Sequence, residues 1–359
     1  MSNRTIIPFG PQHPVLPEPI HLDLVMEDEL VVEAIPRIGW VHRGLEKLVE
    51  KKDFLEMTYV AERICGICSF IHGLTYCHGI EQIMNIEVPI RAHFLRTLWS
   101  ELSRIHSHLL WLGLVADAFG FESLFMHSWR IREKVLDIIE ATTGGRVIFG
   151  SAKVGGTRRD IDNEMLKRII AQVTEIEKEM KEISQTFLND YSVQQRLKGV
   201  GILSKADANM LGAVGPMLRA SGINQDMRKL NYAAYGHIDW EPVMAQDGDC
   251  FARVEVRVGE LFQATDMIRQ VIEKMPEGPV DVKVTGSPNG EFFARTEQPR
   301  GEVIYYLKGN GSKNLERMRV RTPTFANIPA ITKILPGIQL ADVPMMLLTI
   351  DPCISCTER

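Results

Sequence analysis

The sequence lacks a basic excess, a long apolar run and a rich supply of cysteine. Its 359 residues carry a formal net charge of -5, which excludes a basic surface for nucleic acid. The longest apolar stretch, residues 94–121, is interrupted by charged and histidine side chains and is too broken to span a membrane. The first residues contain no apolar signal segment, so we expect a cytoplasmic protein with reduced thiols. Neither glycine-rich passage, at residues 143–146 and 155–157, has a nucleotide-binding pattern.

The chain does contain enough apolar sequence for a large folded unit. Hydrophobic residues make up 45% and charged residues 24% of its composition, which is typical of a globular protein. We expect a mainly helical α+β protein, with a multihelical core and two small sheets, that is not cleanly divisible into domains. Within residues 1–359 we distinguish an extended arm with a small antiparallel sheet (1–45), a helical core (46–275) and a C-terminal lobe (276–359).

Strands are predicted near both ends of the chain. Prolines spaced through residues 8–19 predict an extended, rigid arm, because proline fixes φ and cannot donate a backbone hydrogen bond. Two apolar runs, 21–26 and 30–35, flank an acidic turn and predict a hairpin. Segments 280–284 and 302–307 have strand composition and predict a second small sheet.

Helices are predicted for the middle of the chain. Apolar residues at three- and four-residue steps indicate long helices over 91–115 and 160–188, the second of which would be capped by Asp160 or Asp162. Further helices are expected over residues 45–79, with an interruption, 205–210 and 251–274.

Four of the six cysteines form two Cys-x-x-Cys clips near opposite ends of the chain, Cys65/Cys68 and Cys353/Cys356. Paired clips of this spacing indicate a metal site, and they can meet only if the fold brings both ends together. A structural zinc site would use the same thiols, although zinc ribbons carry both clips within a few tens of residues. A redox site for a transition metal fits the clips equally well, so their spacing leaves both interpretations open.

The residues around the clips narrow this choice. Residues 63–68, Arg-Ile-Cys-Gly-Ile-Cys, and residues 351–356, Asp-Pro-Cys-Ile-Ser-Cys, resemble the nickel-bearing large subunit of NiFe hydrogenases. Residues 43–46, Arg-Gly-Leu-Glu, and 297–301, Glu-Gln-Pro-Arg-Gly, resemble the same family and occur in the same order. The resemblance covers essentially the whole chain and implies a large-subunit-like fold.

Other segments resemble the energy-converting, membrane-associated branch of that family, which includes the Ech and CO-induced types. They are residues 9–14, 42–47, 155–160 and 215–222. This branch is related to the quinone-site subunit of respiratory complex I, which shares most of these segments but lacks the paired cysteines. Retention of all four thiols therefore argues against the complex I role.

The resemblance implies a nickel–iron centre on the four cysteines. Cys65 and Cys353 would be terminal nickel ligands, and Cys68 and Cys356 would bridge nickel to iron, which carries carbonyl and cyanide ligands in the family. Soft thiolates suit redox-active nickel. The two remaining cysteines cannot hold an iron–sulfur cluster, which needs about four ligands, so electrons require a cluster-bearing partner.

Three further residues are assigned through the resemblance. Arg300 matches the arginine that lies over the metals, where a cation favours heterolytic cleavage of H₂, and Asp351 would hold that arginine in place. Glu18 matches the glutamate that passes protons between a nickel-binding cysteine and solvent, a task that suits a carboxylate. Without the motifs, we would interpret Arg300 as part of a surface ion pair, Asp351 as a turn residue and Glu18 as an exposed side chain.

His72 and Glu46 complete the candidate site. The resemblance implies that His72 donates a hydrogen bond to a bridging thiolate, with an ordinary core histidine as the alternative. Glu46 matches a glutamate at a second cation, magnesium or iron, with a solvated helix face as the alternative. The chain departs from the family at residues 106–108, which are His-Ser-His where better-known members have His-Asp-His, and at Arg359, where many relatives end in a cation-binding histidine.

These features predict the catalytic subunit of an energy-converting NiFe hydrogenase that interconverts H₂ with protons and electrons. The expected partners are a small subunit with a 4Fe-4S cluster, a ferredoxin-like subunit and ferredoxin, integral membrane subunits, and maturation proteins for nickel insertion. The expected location is the inner face of the cell membrane, where the chain would be a peripheral part of a complex. A quinone-reductase subunit of the complex I type and a structural zinc-binding protein are the alternatives.

Overall fold

A helical core flanked by two small antiparallel sheets forms the body of the protein, as the sequence predicts. This computed structural model describes residues 4–14 and 18–359. Among the described residues, no helix combines the length and the apolarity needed to cross a membrane.

The N-terminal sheet consists of β1 (Arg4–Phe9), β2 (His21–Glu27) and β3 (Leu30–Arg37), in the order β1-β2-β3. Its inner face buries alternate residues of β2, Leu22, Leu24 and Met26, as the period of two in a strand requires. The hairpin predicted at 21–26 and 30–35 is confirmed. The first part of the proline-containing arm is extended, as predicted, and in addition it pairs along β2 and so belongs to the sheet. Residues 15–17 of the arm lie outside the described chain.

The helices enclose the core and continue to the C-terminus. In chain order they are α1 (Leu45–Leu48), α2 (Met57–Glu62), α3 (Ser69–Met84), α4 (Ile90–Ala118), α5 (Glu122–Thr143), α6 (Asn163–Asn189), α7 (Tyr191–Leu197), α8 (Lys205–Met210), α9 (Pro216–Ala220), α10 (Cys250–Glu273), α11 (Pro323–Ile334), α12 (Val343–Ile350) and α13 (Ile354–Glu358). Short 3₁₀ segments lie at Met227–Leu230, Tyr235–His237 and Leu340–Asp342.

The predicted long helices are present as α4 and α6. α4 is buried along nearly its whole length because it packs between α5 and α10 in the centre of the protein. α6 is amphipathic and buries one stripe that includes Ile169, Val173 and Met180, so it lies on the outside of the core. The carboxylate of Asp162 accepts a hydrogen bond from the backbone N–H of Met165 at 2.8 Å and caps the start of α6, an interaction worth about 1 kcal/mol.

The remaining strands form a two-residue hairpin and a second sheet. The hairpin pairs β4 (Ala152–Lys153) with β5 (Gly156–Thr157), and the sheet pairs β6 (Asn289–Gln298), β7 (Gly301–Asn310) and β8 (Arg317–Arg321) in that order. The strand predicted at 302–307 lies within β7. The strand predicted at 280–284 is wrong: this segment makes only an isolated bridge to β5, because a two-residue strand offers too short a ladder to extend it.

Candidate metal centre

The four clip cysteines meet in the interior, although two come from the first fifth of the chain and two from its end. The sulfurs of Cys65 and Cys353 lie 3.4 Å apart, and those of Cys68 and Cys356 lie 3.5 Å apart. At most 2% of any of the four residues is exposed. The structure thus pairs the first cysteines of the two clips with each other and the second cysteines with each other.

These distances identify four free thiols in one buried cluster, in which the sulfurs of Cys65, Cys68 and Cys356 all lie within 4.8 Å of one another. A disulfide would bring two sulfurs to about 2.05 Å, so none of the pairs is bonded. Contact with the other three thiols lowers the pKa of Cys65, while burial raises the pKa of Cys68. Repulsion between thiolates in a dry site prevents all four from ionising without a cation. The donor set therefore fits a soft transition-metal centre held by deprotonated sulfur.

Each clip occupies the turn just before a helix. The first lies between the end of α2 and the start of α3, and the second follows a sharp corner at Asp351, whose φ of 61° ends α12. The carbonyl of Ile67, inside the first clip, lies 2.9 Å from Nε2 of His106. Because Arg132 donates to Nδ1 of the same ring at 3.1 Å, Nε2 carries the proton and donates to that carbonyl. The clip is thereby anchored to α4 and α5.

Arg43 joins the two clips to each other. Its guanidinium donates to the carbonyls of Arg63 and Ile64 before the first clip, at 3.0 and 2.8 Å, and to that of Ser355 inside the second clip, at 2.9 Å. His42 adds a contact of 2.7 Å from Nδ1 to the carbonyl of Glu358. The segment that precedes α1 thus fixes the C-terminal residues against the start of α3.

Arg300 lies at the tip of the hairpin between β6 and β7, where Pro299 and Arg300 form the two-residue turn. A Cβ on Gly215 would lie 2.4 Å from the Arg300 carbonyl oxygen, and one on Gly301 would lie 2.8 Å from the Gly215 backbone. Both positions have positive φ, so glycine allows the tip to pack directly against the start of α9. This close packing fixes the backbone from which the guanidinium extends.

The Arg300 side chain is buried and held by Asp351. Its Nη2 donates to Oδ1 of Asp351 at 2.7 Å, and its Nε donates to the Asp351 carbonyl at 2.9 Å. Burial alone would lower the pKa of Arg300, but Asp351 and the nearby cysteine sulfurs outweigh it and hold that pKa well above its usual value. Ser107, which stands where the family's aspartate is expected, lies 3.4 Å from Nη1. A permanent cation therefore lies beside the sulfurs.

Glu18 contacts the backbone of the second clip. One of its carboxylate oxygens accepts hydrogen bonds from the backbone N–H groups of Ile354 and Ser355, the latter at 3.2 Å. Burial, followed by the negative charge of Cys65, raises the pKa of this carboxyl group. Glu18 is thus a protonatable group at the residues that directly follow Cys353.

His72 reaches the cluster from α3. Its Nε2 lies 3.4 Å from the sulfur of Cys356, and its Nδ1 lies 2.7 Å from the hydroxyl oxygen of Tyr305 on β7. Burial lowers the pKa of His72 to about 4, so the ring is neutral near pH 7. A neutral ring with Nδ1 accepting from Tyr305 has its N–H on the side of the sulfur, as the sequence-based role requires.

Glu46 belongs to the same region, and protein groups donate to both of its carboxylate oxygens. Oε1 accepts from Nε of Arg359 at 2.8 Å and from the backbone N–H of Val320 at 2.9 Å, while Oε2 accepts from Arg319 at 3.2 Å. The guanidinium of Arg359 supplies a positive charge at the carboxylate where a second cation was expected. The role of Glu46 at a second cation stays a prediction.

Sequence reasoning missed a second arginine next to the site. Arg257 on α10 is 1% exposed, and its Nη1 lies 3.5 Å from Oδ2 of Asp351. A signal for it existed, because Arg257 falls in the apolar stripe of α10 between Val254 and Leu261, at three- and four-residue steps. An arginine in such a stripe has to find an anion inside the protein.

The other cysteines stay apart from this cluster. The sulfur of Cys77 lies 3.8 Å from the hydroxyl of Thr58, and the sulfur of Cys250 lies 3.0 Å from Nη2 of Arg253. Both are buried on other helices. The structure therefore offers one four-thiol group and two isolated thiols.

Comparison with known families gives two matches along the chain. The family model described as nickel-dependent hydrogenase matches residues 43–115. The family model described as respiratory-chain NADH dehydrogenase, 49 Kd subunit, matches residues 118–285 and 282–359. The first match contains one cysteine clip and the second contains the other.

Individual relatives match over nearly the full length. The carbon monoxide-induced hydrogenase of Rhodospirillum rubrum is 39% identical over 100% of both chains. The membrane-bound hydrogenase subunit alpha of Pyrococcus furiosus is 37% identical over 98% of this chain and 87% of that protein. A chain in the solved structure of the membrane-bound sulfane sulfur reductase, an archaeal respiratory membrane complex, superposes with a TM-score of 0.95 at 31% identity and covers 99% of both chains.

Proposed function

The chain belongs to the family that unites nickel-dependent hydrogenases with the 49-kDa subunit of respiratory-chain NADH dehydrogenase, and on this premise we propose that it is the catalytic subunit of a NiFe hydrogenase. The reaction is the interconversion of two protons and two electrons with H₂. The observation that carries the proposal is the convergence of four buried thiols next to the Arg300–Asp351 pair. The binding and reduction of a quinone do not require those four thiols.

The residues present fit a nickel–iron centre. Cys65 and Cys353 would hold nickel as terminal ligands, and Cys68 and Cys356 would hold both metals, with carbonyl and cyanide completing the iron. When bound, this centre would supply the redox chemistry at which H₂ is formed or cleaved. The pairing of the sulfurs, first with first and second with second, supports these assignments.

The surrounding side chains hold and move protons around that centre. Glu18, which contacts the residues after Cys353 and has a raised pKa, would accept protons from the cysteine side and release them to solvent. Arg300, oriented by Asp351, supplies a fixed positive charge next to the centre. His72 donates to the sulfur of Cys356 and fixes its orientation.

The partners follow from the family and from the lack of a second electron carrier. Relatives of this chain are named as subunits of membrane-bound respiratory complexes. We propose a small subunit with a 4Fe-4S cluster close to the cysteine clips, a ferredoxin-like subunit that exchanges electrons with ferredoxin, integral membrane subunits that translocate ions, and maturation proteins that insert nickel. The chain would then lie on the cytoplasmic face of the membrane.

Metal analysis tests the proposal directly. Purified protein should contain nickel and iron at about one atom each per chain and show infrared bands of carbonyl and cyanide. Stoichiometric zinc without nickel would refute the hydrogenase function and support a structural zinc site. Four thiols without any metal, together with quinone reduction by the complex, would support the complex I alternative.

Replacement of single cysteines provides a matched comparison. Cys65→Ser should abolish nickel binding and H₂ turnover, because an alcohol at this position stays protonated and binds nickel poorly. Cys250→Ser changes an equally buried thiol outside the cluster and should leave nickel content unchanged. Equal loss of nickel in both variants would attribute the effect to folding and would remove the support for Cys65 as a ligand.

Two further variants test the proton and charge roles. Glu18→Gln should retain both metals and slow exchange between H₂ and D₂O, because an amide cannot relay a proton. Arg300→Lys should retain the metals and slow turnover, because an ammonium group cannot donate two parallel hydrogen bonds to Asp351 and its carbonyl. Exchange or turnover at the wild-type rate would exclude the corresponding role.

A further inference from the structure

Asp351 has two guanidinium groups next to it, and only one of them belongs to the site described above. Arg300 binds Oδ1 of Asp351 at 2.7 Å. Arg257 approaches from α10 and places Nη1 at 3.5 Å from Oδ2, which has no hydrogen-bond partner of its own. One carboxylate is therefore shared between two buried cations.

The position of Arg257 is fixed by contacts that carry no charge. Its Nη2 donates to the carbonyl of Ile350 at 2.7 Å, at the last residue of α12, and its guanidinium lies 5.1 Å from the centre of the Trp111 ring. Nε and Nη1 have no hydrogen-bond partner. Arg257 thus fastens the end of α12 to α10 directly before the left-handed corner at Asp351.

Two other buried arginines in this core have more carboxylate partners than Arg257, whereas Arg253 has no carboxylate within 4.0 Å in the described chain. Arg219 meets three carboxylates within 3.2 Å, and Arg228 meets two within 3.4 Å. In the described chain, Asp351 is the only carboxylate within 4.0 Å of an Arg257 nitrogen, and it is already bound to Arg300. Burial lowers the pKa of Arg257 to about 10, which still leaves it charged near pH 7.

Asp351 therefore faces two guanidiniums within 4.0 Å and neutralises only one of them. A buried charge is stabilised by anions near it. Glu260, the next acid on α10, binds Arg219 and Arg104 and also lies close enough to stabilise the charge of Arg257. The other acidic groups nearby are Glu18 and the cysteine sulfurs, which adjoin the Arg300 side chain.

We propose that Arg257 is a positioning residue for Asp351 and Arg300, and that its buried positive charge makes the thiol-bound centre easier to reduce. The proposal rests on the hydrogenase function given above. The guanidinium fixes the corner that carries Asp351, Asp351 fixes Arg300, and the net positive charge of the trio stabilises the more electron-rich state of the centre in a medium of low dielectric.

Three variants separate position from charge. Arg257→Met keeps the stem and removes the charge, whereas Arg257→Lys keeps the charge and removes the planar fork. Arg253→Met is the matched control: Arg253 lies one turn earlier on α10, is equally buried, and donates to Gly201 and Gly248 carbonyls and to the Thr349 hydroxyl of α12, with no contact to Asp351. The proteins are compared as the purified complex and as the metal-free full chain.

In the purified complex, an infrared-monitored redox titration measures the reduction midpoint of the centre at normal nickel content. Arg257→Met should shift the midpoint to more negative potential, Arg257→Lys should restore most of that shift, and Arg253→Met should leave the midpoint in place. An unchanged midpoint in Arg257→Met, or an equal shift in Arg253→Met, would overturn the proposal.

The metal-free chain gives a readout that does not depend on the hydrogenase function. In its crystal structure, Arg257→Met should release the Asp351 corner and lengthen the contact between Nη2 of Arg300 and Oδ1 of Asp351 beyond hydrogen-bond distance. Retention of that contact would overturn the positioning role. Where Arg257→Met does not fold, Arg257→Lys decides the same point, because its single ammonium cannot serve Ile350 and Asp351 together. A wild-type protein without nickel would refute the proposed function and leave this structural result standing.

Discussion

Replacing Glu62 by glutamine should stabilise the protein, and increasingly so as the pH rises. Glu62 ends α2, three residues before Cys65, and is fully buried. Neither of its carboxylate oxygens has a hydrogen-bond partner. The Glu62 side chain fits only because residue 73 is glycine, since a Cβ at Gly73 would lie 2.7 Å from Cγ of Glu62. A carboxyl group in such a place favours its neutral form.

The size of the effect follows from the pKa. Burial raises the pKa of Glu62 from 4.5 to about 7, against the opposing charges of Arg158 and Arg63. Because the folded-state pKa is raised, the stability contribution of Glu62 is fully present below pH 4.5 and is lost as the pH rises towards 7. The loss levels off at about 3 kcal/mol, since each pKa unit corresponds to about 1.4 kcal/mol.

Glutamine does not ionise and avoids this loss. The amide adds an N–H₂ group that the pocket has to satisfy, so we expect a net gain of about 1–3 kcal/mol above pH 7 and none near pH 4.5. Urea unfolding of the wild type and Glu62→Gln across this pH range measures the difference. Glu182→Gln, on the exposed face of α6, is the control and should show no pH-dependent gain.

If the difference in free energy of unfolding between wild type and Glu62→Gln stayed constant with pH, the reasoning would be refuted. Such a result would mean that Glu62 has the same pKa in the folded and the unfolded chain. A wild type that becomes the more stable protein above pH 7 would refute it more strongly. That outcome requires a cation or hydrogen-bond donor that holds the ionised carboxylate in place.

Arg96→Met should lower the free energy of unfolding by roughly 3–5 kcal/mol, because the buried carboxylate of Glu81 loses the guanidinium that donates to both of its oxygens, at 2.6 and 2.9 Å. Urea unfolding measures this loss. If the double variant Arg96→Met/Glu81→Gln lost as much stability as Arg96→Met alone, the unpaired carboxylate would not be the cause. Gly301→Ala should lower the melting temperature and displace Arg300 in a crystal structure, because the new methyl group meets backbone at 2.8 Å; an unmoved hairpin tip would contradict the packing argument. Arg359→Met should speed amide hydrogen exchange in α13, because Glu46 then loses the guanidinium that ties this helix to it. A chelator such as EDTA should leave the same exchange in the wild type unchanged, and faster exchange in EDTA would contradict this and support a metal ion at Glu46.

The sequence predicted the elements whose apolar residues repeat regularly. The hairpin of β2 and β3 and the helices α4 and α6 show a period of 2 or 3.6 over enough residues to determine the element. The fold class follows from the same patterns. The prediction at 280–284 was wrong because strand composition does not specify a partner, and the segment faces only the short β5. Periodicity determines which face is buried, whereas pairing depends on what the fold places alongside.

The candidate site was predictable to the extent that it consists of motifs. Cys65, Cys353, Glu18 and His72 were identified from local patterns and their resemblance, and the structure brings them together. Arg257 was not identified, because its meaning depends on a carboxylate that lies 94 residues further along the chain. The pairing of Glu46 with Arg359 was not predicted for a related reason, since only the folded chain shows Arg359 at that carboxylate.

The buried charges around the site are better explained by the side-chain orientations that they impose than by a contribution to the free energy of unfolding. In the described core, Glu260 is shared by Arg104, Arg219 and His108, and Asp351 is shared by Arg257 and Arg300. Well-packed apolar residues in place of a buried ion pair are often neutral or stabilising by roughly 1–4 kcal/mol, whereas removal of one partner costs more than the pair contributes. Each member is therefore confined to one arrangement, because any alternative leaves a charge unpaired in a dry interior. Catalysis by fixed charge requires such confinement, since donors that are already oriented need not reorganise when charge develops. We therefore attribute the charged core to the orientation of Arg300 beside the four thiols.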